Sequence, residues 1–401
     1  MPSPWASDSP DPSPTVVVFR NSLVNPGEPF VIEQPQAMQR YHPVLLGAVR
    51  VRSHASIPLP EGSIVLAESG VLGRLSAEWF RATGRSRAAA AHLRTIAPAL
   101  VHAHMGTDAL RVMRLCERFG IPLVTTYHGF EISRDDVTLR AGRWGDRWFV
   151  RARERLANDG AAHIAVSHYL RNIMINRGFP ADRTHVHYIG VDTQRFTPTA
   201  TPREPGLVLF VGRLEEDKSP LQALDAILRV RSEHPGIQAV FVGEGPQRDA
   251  IARLAARERV SVTLTGAQTR GEVLAWMRRA SVLIGPSRQW LGCRESLGLV
   301  FLEAQGTALP VVAYHSGGIP EAVADGRSGL LSPEGDVLAL ARNLALVLGD
   351  ETLRDRLGQA GVRHVRERFD LRHQTSLLED IYDQVVERWN PVRARRLDRP
   401  E

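Results

Sequence analysis

Arg213 and Lys218 stand five residues apart, just after an apolar run that ends at Gly212. Arginine presents a planar fork of donors, whereas lysine is a compact ammonium on a flexible stem; placed around one tight turn, the two suit a diphosphate. Among 50 basic residues Lys218 is the only lysine. Codon bias towards arginine explains the rest, and a site that accepts only an ammonium is one way for a single lysine to persist. The competing reading is a surface pair bridging Glu215, Glu216 or Asp217. Further on lies Glu295-Ser-Leu-Gly-Leu-Val-Phe-Leu-Glu303. If this segment is helical, a 1.5 Å rise per residue separates the two carboxylates by about 12 Å. That length spans a sugar and a ribose on either side of a diphosphate, with Glu295 accepting from sugar hydroxyls and Glu303 from ribose. Ser296 is expected to cap that helix, whose first turn contains Gly298 and offers free N–H groups to an anion. Glutamates at this spacing also decorate solvated helices, but Glu303 sits among Val300, Phe301, Leu302 and Ala304, where an unpaired carboxylate is costly.

In the first half, His128 follows the apolar run 123–127 and precedes Gly129. Its ring is expected to project beyond a strand end, where open α/β sheets bind ligands; a histidine satisfied by backbone is the plainer alternative. His102 and His104 share a strand face. His-x-His is a metal-ligand spacing, but no third ligand is evident nearby and no metal is expected. Cys116 and Cys293 are the only cysteines, too few for a disulfide framework or a four-ligand zinc site. Cys116 reads as helix core, and Cys293, in the loop 289–294, carries no assigned chemistry.

Parallel α/β sheets are expected to position these residues, because short apolar runs alternate with helical patterns. The runs are 15–19, 44–49, 64–67, 100–104, 123–127, 163–166 and 186–191, then 207–211, 239–242, 262–265, 282–284 and 311–313. Residues 195–206, with Pro198, Pro202 and Pro205, have linker composition. The expected organisation is a disordered tail (1–14), a first domain (15–198), a second (206–370), a helix crossing back to the first (371–390) and a basic tail (391–401). Two doubly wound Rossmann-like domains then face a cleft. No apolar run approaches the ~18 residues of a membrane span, and the N-terminus lacks the basic head and apolar middle of a signal peptide, so a cytoplasmic location is expected. The net charge of +6 falls entirely in residues 1–200, which hold 23 basic and 17 acidic side chains. That half suits an acidic partner or an anionic membrane, and residues 74–94 carry five arginines with Trp79 and Phe80. A solvated helix anchored by one aromatic is the competing reading. Nucleic acid is not expected, since no zinc knuckle, aromatic RNA-binding signature or helix-turn-helix pattern occurs.

Arg213 with Lys218, Glu295-x7-Glu303 and Leu309-Pro-Val-Val-Ala-Tyr-His-Ser-Gly-Gly-Ile-Pro-Glu321, in this order, resemble the donor site of family 4 retaining glycosyltransferases of the GT-B fold. His102-Ala-His104, Thr126-Tyr-His128-Gly129 and Ala165-Val-Ser167 match as well, so the resemblance covers nearly all of residues 15–390. It implies that Arg213 and Lys218 bind the diphosphate of a nucleotide-sugar donor, Glu303 the ribose and Glu295 the transferred sugar. It assigns sugar and phosphate contacts to backbone at Gly298, Leu299 and Val300, and the base to the turn 266–270. Gly212 ends the first strand of that domain, Gly243-Glu-Gly245-Pro resembles the second glycine turn, and Gly266 opens the base turn. His128 corresponds to the histidine near the reaction centre, and Glu131 to a position suited to polarising a substrate hydroxyl. The loop after the first strand departs from the family's glycine pair. It reads Phe19-Arg-Asn-Ser-Leu-Val-Asn-Pro-Gly27-Glu-Pro-Phe30, resembling exopolysaccharide-type members, with Gly27 and Glu28 carried over.

The resemblance implies a metal-independent retaining transferase moving a hexose from a nucleoside diphosphate sugar to a hydroxyl acceptor. The acceptor is a polysaccharide or lipid-linked glycan, or a natural-product aglycone. His128, Arg213, Lys218 and Glu295 are the expected catalytic groups, and no cofactor is implied. Two cations and a helix N-terminus can stabilise the leaving diphosphate without Mg²⁺. A nucleotide-sugar epimerase of the same fold and a non-catalytic nucleotide-sugar-binding module are the rival readings.

Overall fold

The computed structural model describes residues 13–24, 27–51, 58–68 and 70–397 of the chain. The tail expected at 1–14 lies outside the described residues up to position 12, as do residues 398–401 of the basic tail. Two parallel sheets organise the molecule. The first has seven strands in the order Ile64–Val65, His42–Gly47, Thr15–Phe19, Leu100–His104, Leu123–Tyr127, Ala162–Ala165, Thr184–Val186. The second has six: Ser261–Gly266, Gln238–Val242, Leu207–Val211, Val282–Gly285, Val311–His315, Gly329–Pro333. A parallel strand is buried on both faces by crossover helices, so its side chains are apolar without alternation; Val16, Val17, Val18 and Phe19 are all fully buried.

In each domain the earliest strand of the sheet lies between the next strand in sequence and a later one. Thr15–Phe19 pairs with His42–Gly47 and Leu100–His104, and Leu207–Val211 with Gln238–Val242 and Val282–Gly285. Crossovers leave in opposite directions at these strands, opening a crevice at their carboxyl ends. The two doubly wound, Rossmann-like domains turn these ends towards a common cleft, whose walls carry residues from both.

Several elements differ from the sequence expectation. The run 186–191 is strand only to Val186; Val191 instead bridges to Asp370, with the Val191 N–H donating to the Phe369 carbonyl at 2.7 Å. The run 64–67 is a two-residue strand followed by a 3-10 turn, Leu66–Glu68. The edge strand Gly329–Pro333 carries no clear signal, since Gly and Pro frame only two leucines and a serine. The last helix, Leu371–Leu397, continues past residue 390. It packs on the first domain through buried Leu378, Tyr382 and Val385, and Trp389 Nε1 donates to the Gly120 carbonyl at 2.8 Å. Leu377, on the same helix, is exposed.

Candidate active site

The central strand of the second domain, Leu207–Val211, delivers Gly212 and Arg213 to the cleft. The chain then turns through Glu215 and Asp217 to Lys218. Ser219, at φ +50°, makes no side-chain cap; Pro220 starts the helix Pro220–Val230. Arg213 is ion-paired with Glu215 and with Asp217, the latter at 2.9 Å. Lys218 is ion-paired with Glu295 across 77 residues of sequence. Burial pushes the Glu295 carboxyl up, but the Lys218 ammonium and a hydrogen bond from Ser287 outweigh it and hold the group below the usual carboxylate range.

Glu295 is not on a helix. The helix in this motif is Leu299–Gly306, so the 12 Å estimate for an all-helical segment does not apply, and Ser296 is not its cap. Gly298 occupies the N-cap position at φ +86°, where a Cβ would sit 2.4 Å from the Phe301 ring. The Glu295 loop rests on Gly317 and Gly318. The Gly318 N–H donates to the Glu295 carbonyl at 2.8 Å, and a Cβ at either glycine would meet the Glu295 or Ser296 carbonyl oxygen at 2.2 or 2.0 Å. That pair therefore sets the height of the Glu295 carboxylate over the cleft.

Glu303, on the helix, is 7% exposed and has the partner its apolar surroundings demanded: Arg270, at 2.9 Å. Burial and Glu33 keep its carboxyl above the usual range even though Arg270 counteracts them. Arg270 also contacts Glu33 of the first domain at 3.1 Å. Arg270 falls in the turn read as base-holding. Glu33, on the helix Phe30–Gln36, had no sequence signal, since its partner comes from the other domain.

These groups line a cavity of about 400 Å³, with Gly27, Gly212, Arg213, Lys218, Glu295, Gly298, Leu299, Val300 and Glu303 in its wall. Gly243 and Gly266, expected beside the donor, line neither this cavity nor the one that adjoins it; the Gly243 N–H donates to the Gly266 carbonyl, aligning two strand ends. A second cavity of about 880 Å³ adjoins the first and shares Gly27, Arg213, Lys218, Glu295, Gly298 and Leu299 with it.

His128 lines the second cavity. Its Nε2 is 3.0 Å from His104 Nδ1, its ring stacks on Phe30 at 4.5 Å, and its buried Nδ1 has no partner. Burial, with Arg20 and His102 nearby, pushes the ring down to about 3, so it is neutral at pH 7. His102 is a core histidine: its nitrogens meet the Tyr382 hydroxyl at 2.6 Å and Thr126 Oγ1 at 2.7 Å. Both nitrogens are therefore committed. Glu131 turns inward, accepting from the Gly106 N–H at 3.0 Å, and lines neither cavity. Burial pushes its carboxyl up to about 6. Its helix, Phe130–Ser133, directs the side chain beneath the sheet end, so a role on a substrate hydroxyl does not fit. In the departing loop, Glu28 receives both forks of Arg20, at 2.8 and 2.9 Å, while Arg20 also holds Asp108.

Glu321 has a definite place. Its carboxylate reaches from the second domain to accept from the His168 and Tyr169 N–H groups, both at 2.8 Å, and from the Tyr188 hydroxyl at 2.9 Å. It therefore caps a first-domain helix, His168–Asn176. Sequence reading also missed Phe130, Arg134 and Trp290, which line the larger cavity from both sides. Exposed aromatics at its rim were the available signal.

A family model described as Glycosyl transferases group 1 matches residues 192–364, and one described as Glycosyltransferase Family 4 matches residues 39–195. Glycogen synthase of Mycobacterium tuberculosis is 30% identical over 296 residues, covering 71% of this chain and 68% of that protein. The D-inositol 3-phosphate glycosyltransferase of Streptomyces bingchenggensis is 31% identical over 325 residues, 74% of this chain and 68% of that one. Among solved structures, sucrose-phosphate synthase from Thermosynechococcus elongatus aligns with a TM-score of 0.73 at 19% identity, over 93% of this chain and 99% of that one. Anabaena HepE, solved with UDP and glucose, aligns at 0.72 and 18% identity over 92% and 100%. At those identities the likeness is one of fold. Two family models meeting at the interdomain linker, and a relative at 30% identity or above over two thirds of its length, make this chain a family 4 glycosyltransferase of the GT-B fold.

Proposed function

We propose that the enzyme moves a hexose from a nucleoside diphosphate sugar to an acceptor hydroxyl, with retention at the anomeric carbon and without a metal. The observation that carries this is the seam between the two cavities. Arg213, Lys218, Glu295 and the Gly298–Leu299 backbone belong to both walls, so cations and a carboxylate meet where donor and acceptor would touch. The donor diphosphate exchanges for carboxylates: it takes Arg213 from Glu215 and Asp217, and Lys218 from Glu295. Glu295, released, accepts from sugar hydroxyls. Glu303 is the ribose ligand, which requires Arg270 to yield one of its two carboxylates. Neutral His128, in the wall of the larger cavity, lies beside the transferred sugar.

The bond from the anomeric carbon to the diphosphate breaks, and the acceptor oxygen bonds on the same face. The acceptor's proton passes to the departing diphosphate oxygen. Lys218, Arg213 and the Leu299 helix N-terminus stabilise the charge that develops there. Domain closure excludes water and limits donor hydrolysis. We also assign the exposed apolar face of the helix Gly70–Thr83 to an anionic lipid surface, which would put the enzyme at the cytoplasmic face of a membrane.

The test is nucleotide release from UDP-, GDP-, ADP- and dTDP-sugars, UDP-glucose first because HepE was solved with UDP and glucose. Slow release of one nucleotide, with the anomeric configuration kept in the product and no loss in EDTA, supports the proposal. An epimerised sugar would favour the epimerase, and tight binding without turnover across an acceptor panel the binding module.

A further inference from the structure

The larger cavity carries charge that donor binding does not use. Two acids in its wall keep cations that the donor does not claim, Glu28 with Arg20 and Glu216 with Arg288, whereas Glu215, Asp217 and Glu295 hold Arg213 and Lys218, the cations the donor diphosphate takes over. Of its cations, Arg294 is held by Glu334 at 2.9 Å. Arg134 and Arg143 remain, and among the described residues neither has a carboxylate partner. Both lie in the part of the wall that the donor cavity does not share.

Arg134 is held without being neutralised. Its guanidinium lies 3.9 Å over the Phe130 ring and beside the Cys293 thiol, and its buried Nε has no hydrogen-bond partner. A cation–π contact fixes orientation while leaving the positive charge in place. Two aromatic rings flank the same space from opposite domains, Phe130 at 41% and Trp290 at 42% exposure. Such rings suit the C–H face of a sugar or another ring. Guanidinium forks match the planar pair of oxygens on a phosphate or carboxylate.

We infer that the acceptor is anionic: a hydroxyl-bearing ring with a phosphate or carboxylate that Arg134 and Arg143 receive while the hydroxyl lies near His128. This rests on the glycosyl-transfer reading above. The test is calorimetric titration of the UDP-loaded enzyme with glucose, glucose 6-phosphate and glucuronate, on wild type and on the Arg134→Gln/Arg143→Gln double variant. The expected result is at least tenfold tighter binding of one or both anionic sugars than of glucose by wild type, reduced to threefold or less by the double variant. The phosphate and carboxylate arms decide which anion is meant. Equal affinity for the three sugars, an anionic advantage that survives the double variant, or no binding of either anionic sugar at millimolar concentration would overturn the inference. Arg143→Gln alone, at an exposed position, carries the comparison if the double variant does not fold. Failure of UDP to bind in the first titration would sink the glycosyl-transfer reading and this inference with it, whereas UDP binding with indifferent sugars sinks only the inference.

Discussion

At the scale of residues, the ion pair between Lys218 and Glu295 ties the two halves of the donor motif together. Lys218→Ala removes both the proposed leaving-group stabiliser and the partner of a largely buried carboxylate. Nucleotide release is expected to fall by roughly 10²–10³, the cost of one preorganised donor, and the unpaired Glu295 to cost about 1–3 kcal/mol of stability. Adding Glu295→Gln should restore the thermal midpoint but not the rate. Recovery of rate in the double variant would mean that Lys218 serves structure alone. This pairing was only half legible. The lone lysine and the buried setting of Glu303 each announced a constrained charge, because composition and local hydropathy lie within a few residues. Their partners were not announced: Glu295 meets Lys218, and Glu303 meets Arg270 and through it Glu33, across loops whose courses no local pattern encodes.

At the scale of elements, strands were legible wherever burial on both faces made them uniformly apolar, as at Thr15–Phe19, Leu100–His104 and Leu207–Val211. Gly329–Pro333 was not legible, since it pairs only with Val311–His315 and holds only two leucines and a serine between its glycine and its proline. The helix start was misread at Ser296, because the chain runs on as a loop to Gly298, where the Phe301 ring fills the space of a Cβ. The helix Gly70–Thr83 buries Gly73, Ala77 and Phe80 and leaves Val71, Leu72, Leu75 and Trp79 exposed beside Arg74. Phe80 is the core anchor the sequence suggested; the exposed side is apolar as well. Such a face suits the headgroup boundary of an anionic bilayer. Sedimentation with phosphatidylglycerol vesicles is expected to exceed that with phosphatidylcholine and to weaken with salt. Leu72→Glu with Leu75→Glu should lower the vesicle-bound fraction about tenfold. Unchanged sedimentation of that variant would remove the lipid assignment and leave the transfer reaction untouched.

At the scale of the whole molecule, buried histidines make the first domain the more acid-sensitive of the two. Burial pushes His163 and His187 down to about 4, and His102, His104, His128 and His185 are lowered too; these six lie in the first domain, against one lowered histidine, His364, among the described residues of the second. Rings held neutral in the fold regain a pKa near 6.5 when unfolded, so their stability contribution is complete above pH 6.5 and is lost as pH falls towards 4. At pH 5, His163 and His187 each withdraw about 2 kcal/mol. Glu131, raised to about 6, works in the opposite sense by about 1 kcal/mol. Calorimetry at pH 7.5 and pH 5 should therefore find the first domain melting earlier in acid. The domains are joined by more than the linker, since Glu321 caps the helix His168–Asn176 across the cleft. A carboxylate on two free N–H groups at a helix start is worth about 1–2 kcal/mol, and that energy exists only while the domains are in this arrangement. Glu321→Ala removes it without touching either cavity. The population with both cleft walls in register then falls by up to about thirtyfold, and apparent donor affinity falls by the same factor. The His168 and Tyr169 amides should exchange faster with solvent, and the radius of gyration should increase. Unaltered exchange at those two amides together with an unaltered donor KM would show that the domains are held by other contacts, the Glu33–Arg270 pair being the next to remove.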